Sequence, residues 1–469
     1  MKKLPQEKVY MDHTGPVLFA GEYLYYALYC FNAQSNKLTN ISRLAYVALV
    51  NEEREVVFEH KLKMDGGLGQ GDFFVSANVP SGNYKLLGYT QWMKNSGMDQ
   101  VFQDDMVIIN PYLADQSKLL SNTDTDPNGI RDPKSRDGRF IDSSTVSLSI
   151  DKIRYAKREK VKLTLKNYKG YLGNGAYTLK VRSREQLGSA SFMDAASYAD
   201  AYFNVEKQIK QRVGDSLFLP EQRGELFFGT VTAQDGSPVV DKPVVISIPG
   251  KEFLLKFSRT DEDGNFYSYL RKDYKVATAV VQVEDESAQY NIKKGALGNL
   301  DLSTLTFSGY TLSEKDKEAI LARSVRNQIE NLFFQVKPDS ILQGRPIDPF
   351  DGGKPETLFL DDYTRFPTFE ETMVEIVPHA GYRNGGKGND FVKVAQDYET
   401  YDETFNDFSS IILIDGVFVP NHEKIRTFDA RTIEKISLIR DKFRLGGKDY
   451  QGIVLRGDVQ QYVFGNTCP

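Results

Sequence analysis

Three residue types that often anchor a functional reading are scarce in these 469 residues: two cysteines, one tryptophan and four histidines. Two cysteines exclude a disulfide scaffold. Cys30 and Cys468 could form one bridge between the chain ends, and nothing in the sequence requires it. His13, His60, His379 and His422 lie far apart and offer no zinc-ligand spacing. Each reads as a surface or turn residue. No apolar run reaches the ~18 residues of a membrane-spanning helix. Charge of one sign is also missing. With 59 Lys and Arg against 64 Asp and Glu the net charge is -5, without the concentrated basic surface that nucleic-acid binding needs. Met1-Lys-Lys-Leu-Pro5 lacks the apolar centre of a signal peptide, so the chain reads as cytosolic or as a mature exported protein.

Catalytic signatures are absent too. No G-x-S-x-G, H-E-x-x-H or phosphate-loop Gly-Lys-Ser/Thr pattern occurs. Gly66-Gly-Leu-Gly-Gln-Gly71 is glycine-rich, but strand signals flank it and it reads as a hairpin connection. The acidic pairs Asp361-Asp362 and Glu370-Glu371 are the best carboxylate candidates. Adjacent residues point away from each other on a strand, and ~100° apart on a helix, whereas acid–base chemistry needs convergent groups. The expectation is no enzyme and no resident cofactor.

What is abundant is Phe (29), Tyr (26) and Gly (37), the composition of short strands and tight turns. The length suggests roughly three to five domains. The fold class expected is mainly β and multidomain: tandem β-sandwiches followed by a small α+β module. The boundaries are a β-sandwich at 1–112, a polar linker at 113–143, a second sandwich of the same type at 144–223, a third sandwich at 224–300, a helix and connector at 301–356, and the α+β module at 357–469. In the linker, Asp124, Asp126, Asn128 and Asp132 alternate like the start of a calcium loop. Ser135 stands where a bidentate Glu would close it, so a solvated turn-rich linker is favoured and calcium is the only ion kept in view. Leu321, Val325, Ile329 and Leu332 share one face of a helix at 312–334, capped by Ser313 with Asp316, and that face is expected to pack on a sheet or bridge domains. Tyr23 and Tyr25 share one face of an aromatic strand, with Leu24, Tyr26 and Leu28 on the other. Tyr23 and Tyr25 are candidates for a protein interface, although a strand covered on both faces is favoured.

Three stretches resemble known domain families. Gly21-Glu22 before the aromatic strand, with the closing Pro80-Ser-Gly-Asn-Tyr84, resembles the macroglobulin-type (MG2) sandwich of α2-macroglobulin-like proteins. That family's Cys-Gly-Glu-Gln thioester is absent. Gly229-Thr-Val231, Gly236-Ser-Pro238 and Thr260-Asp-Glu-Asp-Gly-Asn-Phe266 resemble the carboxypeptidase regulatory-like domain, which implies a small sandwich without activity of its own. Asp261, Glu262 and Asp263 there read as a turn rather than a metal site. Ile414-Asp-Gly-Val417, Ile433-Glu-Lys-Ile-Ser-Leu-Ile-Arg440 and Gly446 to Val454 resemble the plug of TonB-dependent outer-membrane transporters. Only twelve residues follow Gly457 here, so the expectation is a plug-like module without the family's barrel.

This combination resembles envelope proteins of Bacteroidetes-type bacteria. It implies an exported protein at the outer membrane, in the periplasm or on the surface. The expected function is a non-catalytic interaction or scaffold subunit of a transport, secretion or protein-assembly complex. Its partners would be an outer-membrane β-barrel or complex proteins, with Asp415 and Gly416 as further interaction candidates. Two alternatives remain at this point: an enzyme or glycan-binding protein with accessory β-modules, and a protease binder of macroglobulin type without a thioester.

Overall fold

The computed structural model describes residues 5–120, 146–156, 159–168, 179, 193–203, 217–250, 253–270, 278–285, 288–332, 355–385 and 390–458. The chain divides into two compact units. Unit 1 comprises residues 1–220 and 300–338, and unit 2 comprises 221–299 and 339–469. The protein is mainly β and multidomain, as its strand and turn signals imply.

In residues 5–112 of unit 1, nine strands make two sheets. These are β1 (Glu7–His13), β2 (Val17–Phe19), β3 (Tyr23–Asn32), β4 (Lys37–Leu38), β5 (Leu44–Asn51), β6 (Val56–Lys63), β7 (Leu68–Phe74), β8 (Gly82–Tyr89) and β9 (Phe102–Ile109). One sheet sets β3 between β1 and the β4 and β7 strands. The other runs β2-β9-β8-β5-β6. The alternation along β3 decides its faces: Leu24, Tyr26, Leu28 and Cys30 go into the core, and Tyr25 points out. Gly66 and Gly67, at φ of 59° and 81°, make the turn from β6 into β7. A side chain on Gly67 would run into the Cys30 and Thr39 carbonyls.

The core includes a buried carboxylate. Glu7 accepts from the Ser42 amide (2.8 Å), the Ser42 hydroxyl (2.7 Å) and the Thr90 hydroxyl (2.7 Å). Those donors offset the cost of burying its charge. Burial, with Glu7 beside it, pushes the Cys30 thiol far up.

Of residues 144–223, the described part includes one antiparallel pair, β10 (Val146–Ile150) with β11 (Leu163–Asn167), and a short helix α1 (Ala195–Tyr198). Tyr198 stacks on Tyr202 and against Tyr10, and both Tyr198 and Tyr202 are buried in unit 1. The longer helix α2 (Lys317–Leu332) also belongs to unit 1.

Unit 2 opens with a sandwich of β12 (Glu225–Ala233), β13 (Pro243–Ile248), β14 (Leu254–Arg259), β15 (Asn265–Leu270), β16 (Val280–Val283) and β17 (Tyr290–Lys294). Its sheets are β15-β12-β17 and β14-β13-β16. Phe227, Val231, Val244, Ile246 and Phe266 fill the space between them. The Asp261 carboxylate accepts from the Asp263 and Asn265 amides (3.0 and 2.8 Å), so this acidic run is the turn into β15.

The rest of unit 2 contains β18 (Glu356–Phe359), α3 (Phe369–Glu375), β19 (Ala380–Arg383), β20 (Phe391–Val394), β21 (Ile411–Ile414), β22 (Val417–Phe418), β23 (Ile433–Leu445) and β24 (Lys448–Asp458). Its main sheet runs β18-β23-β24-β21-β22, with β21 parallel to β24. Thr368 caps α3 reciprocally with Glu371. One face of the sheet packs on α3 and the β19–β20 hairpin through Ile412, Ile436, Leu438 and Val454, against Phe369, Met373, Val392 and Val394.

Candidate interaction surfaces

The sheet's other face supplies Ile411, Leu413, Phe418, Ile439, Tyr450 and Ile453. These pack into one cluster with Val245 and Leu255 of the sandwich, joined by Phe253 and Phe257. Asp415 (φ 50°) and Gly416 (φ 84°) form the two-residue turn between β21 and β22. Both central residues are left-handed, as a type I′ hairpin requires. A Cβ on Gly416 would lie 2.2 Å from the Phe253 Cβ. The Phe418 amide donates to the Ser247 hydroxyl (3.1 Å), and the Arg259 Nε donates to the Gly446 carbonyl (2.7 Å). The buried Glu284 carboxylate accepts from the Tyr450 hydroxyl (2.7 Å) and pairs with Lys448. Asp415 and Gly416 therefore lie where the β21–β22 hairpin meets the sandwich of their own unit.

Tyr23 and Tyr25 lie at the outward side of β3. Their rings stack at 5.6 Å, and Tyr23 also meets Phe74 of β7 at 5.0 Å. Tyr25 is 46% exposed and Phe74 43%. The strand is thus open to solvent on this face at its amino end.

The apolar stripe of α2 departs from expectation. Leu321 is 65% exposed, Val325 48%, Ile329 49% and Leu332 81%, while Ser324 and Asn327 are buried. The helix docks by a largely polar side, on which Ile320 is the apolar contact, packed on the cluster of Phe19 and Tyr310. Arg323 forms a two-point pair with Glu22, both bonds at 2.8 Å. It also donates to the Val17 carbonyl (2.9 Å) and lies 4.6 Å over the Phe19 ring. The Asn327 amide donates to the Ala20 carbonyl (2.7 Å), and Asn331 to the Gly21 carbonyl (3.0 Å). Gly21 has φ 91°, and a side chain there would strike both asparagines at 2.8 Å. The turn at residues 20–22 exposes backbone carbonyls and a carboxylate, and a polar helix face satisfies them better than an apolar one can.

The acidic pairs are engaged locally. Asp361 pairs with Arg365, and Glu371 caps α3. Glu370 and Asp390 both bind Arg426, which also lies 5.2 Å over the Tyr382 ring. Hydrogen bonding from Arg426 holds the Glu370 carboxyl below its usual range. This cluster lines a shallow cavity of about 360 Å³ with Met373 and Arg383.

Three histidines overturn the surface expectation. His13 bonds Asp104 (2.9 Å), His60 bonds the Tyr26 hydroxyl (2.6 Å), and the Nδ1 of His422 accepts from the Val392 amide (2.9 Å). All three are buried. His379, at φ 65°, occupies a turn. No strand periodicity separates a buried histidine from an exposed one when a single polar partner inside the core decides the matter. Among the described residues no group of three or more His, Cys, Asp or Glu is placed to hold a metal. The calcium candidates Asp124, Asp126, Asn128 and Asp132, and Cys468, lie outside the described residues.

No family model matches the chain, and no curated protein matches it. Solved structures similar to parts of it include the native α2-macroglobulin of Escherichia coli, at 9% identity and TM-score 0.19, covering 62% of this chain and 14% of that one. A mutant α2-macroglobulin of Salmonella gives 10% identity and TM-score 0.18, covering 63% and 14%. A tetra-tandem repeat from the extending region of a large adhesion protein gives 8% and 0.16, covering 63% and 74%. The chain spans about one-seventh of the length of the macroglobulins it matches.

Proposed function

We propose that this chain is a non-catalytic interaction subunit of a bacterial outer-membrane complex for transport, secretion or protein assembly. The observation that carries the reading is the orientation of α2. A surface helix ordinarily buries its apolar stripe. Here the polar side is fixed to the β2–β3 turn by Arg323, Asn327 and Asn331, and Leu321, Val325, Ile329 and Leu332 stand in solvent. Anchors at i, i+4, i+8 and i+11 on a helix held from behind suit an apolar groove on a partner protein. The membrane setting is supported by the macroglobulin-like, regulatory-like and plug-like sequence motifs, which together resemble envelope proteins. The partner proposed is an outer-membrane β-barrel or a protein bound to one.

The test is affinity purification from native membranes, with wild type beside a Leu321→Glu, Val325→Glu double variant. The expected result is recovery of an outer-membrane barrel with wild type and its loss with the variant, at unchanged circular dichroism. A soluble monomer without a barrel partner would overturn the reading.

A further inference from the structure

A second recognition device lies in unit 1, on elements separate from α2. The turn of 3₁₀ helix at Trp92–Ser96 carries Lys94 and Asn95, both buried. Asn95 reads both backbone groups of one distant residue. Its Oδ1 accepts from the Phe218 amide (3.0 Å), and its Nδ2 donates to the Phe218 carbonyl (2.7 Å). The same Nδ2 is held in place by the Trp92 carbonyl (2.9 Å). One side-chain amide thus makes the pair of bonds that a neighbouring strand would make.

The Phe218 ring lies 5.4 Å from the Lys94 ammonium. That cation also faces Tyr89 (5.4 Å) and Tyr46 (5.8 Å), whose rings stack at 5.3 Å and 10°. Leu217 and Leu219 on either side are 50% and 66% exposed. Residues 217–220 form neither helix nor strand. Their alternation of exposed, half-buried and exposed is that of extended chain.

The recognition elements are therefore general. The amide reads backbone, which every peptide has, and the cation with its tyrosine walls reads an aromatic ring. We propose that Asn95, Lys94, Tyr46 and Tyr89 form a docking site for an extended peptide, which residues 217–220 of the chain itself occupy. An apolar–aromatic–apolar segment of a partner protein competes for it. A tethered occupant acts at an effective concentration on the order of millimolar, so the site is masked but exchangeable.

The probe is a fluorescein-labelled heptapeptide with the sequence of residues 215–221, titrated by fluorescence anisotropy against the full chain. Phe218→Ala should unmask the site and raise the peptide's affinity about tenfold or more over wild type. Adding Asn95→Leu to that variant should abolish the gain, and a probe with alanine in place of its phenylalanine should bind neither. Because Phe218→Ala could alter folding, a second measurement uses wild type. Excess unlabelled peptide should speed hydrogen exchange at residues 217–220. Equal affinity for Phe218→Ala with and without Asn95→Leu, or unchanged exchange at 217–220 under excess peptide, would overturn the proposal. Neither result bears on α2, so this test and the partner test fail separately.

Discussion

Arg323→Ala tests whether polar contacts hold α2 in place. The substitution removes a two-point ion pair with Glu22, a bond to the Val17 carbonyl and the stacking on Phe19. The pair is largely shielded, with side-chain exposures of 17% and 20%. Deleting one partner of a fully buried pair costs ~3–5 kcal/mol, whereas an exposed pair contributes at most ~1 kcal/mol. The partial exposure here places the loss near ~2–3 kcal/mol. Asn327 and Asn331 remain, at about 1 kcal/mol each, so the helix stays docked but opens more often. The readout is hydrogen exchange of peptides within 317–332, under conditions where closing outpaces exchange. A drop of ~2–3 kcal/mol in local opening energy speeds exchange by roughly 30- to 150-fold, while the β5 and β8 strands keep their protection. A double-mutant cycle with Glu22→Gln should return a coupling of about 1–2 kcal/mol. Unchanged exchange in 317–332, or equal acceleration across the whole sandwich, would refute the view that this guanidinium is the main tie.

Two further predictions concern unit 2. Gly416→Ala places a Cβ against Phe253 at φ 84° and should cost about 1–3 kcal/mol, read as a lower urea midpoint with unchanged slope. An unchanged midpoint would mean that the hairpin turn is not packed on the sandwich. The second concerns His422, whose burial depresses its pKa to about 4 from 6.5. The unfolded chain then binds more protons than the folded one between those values. The contribution is fully present above pH 6.5, is lost as pH falls towards 4, and totals about 3–4 kcal/mol. A His422→Gln variant should flatten this part of the stability–pH curve, and retention of the full slope would count against the assignment.

The sequence revealed strands and turns better than it revealed what covers them. Asp415-Gly416 between two apolar runs predicts a tight hairpin because few other dipeptides accept two left-handed residues, and the structure has that hairpin. The side on which α2 docks was not legible. Periodicity finds the stripe at Leu321, Val325, Ile329 and Leu332, but what the turn at residues 20–22 can bond to depends on chain three hundred residues away. His13, His60 and His422 fail in the same way, since each is buried by a partner remote in sequence.

The hairpin at residues 411–418 shows how a local signature and its use can separate. A module with one open apolar sheet face would have to find a cover. In this chain Val245, Phe253, Leu255 and Phe257 of the preceding sandwich cover that face. Ser247, Arg259 and Glu284 then fix the register through bonds to Phe418, Gly446 and Tyr450. Apolar burial sets the strength of this contact, and the polar bonds set its orientation, since an unmet donor at such a site is costly. The sandwich and the module therefore form one compact unit whose hairpin is already spent on an internal contact. On the function proposed above, recognition of other proteins falls to surfaces left uncovered among the described residues, and the stripe on α2 is such a surface, held from behind by polar bonds.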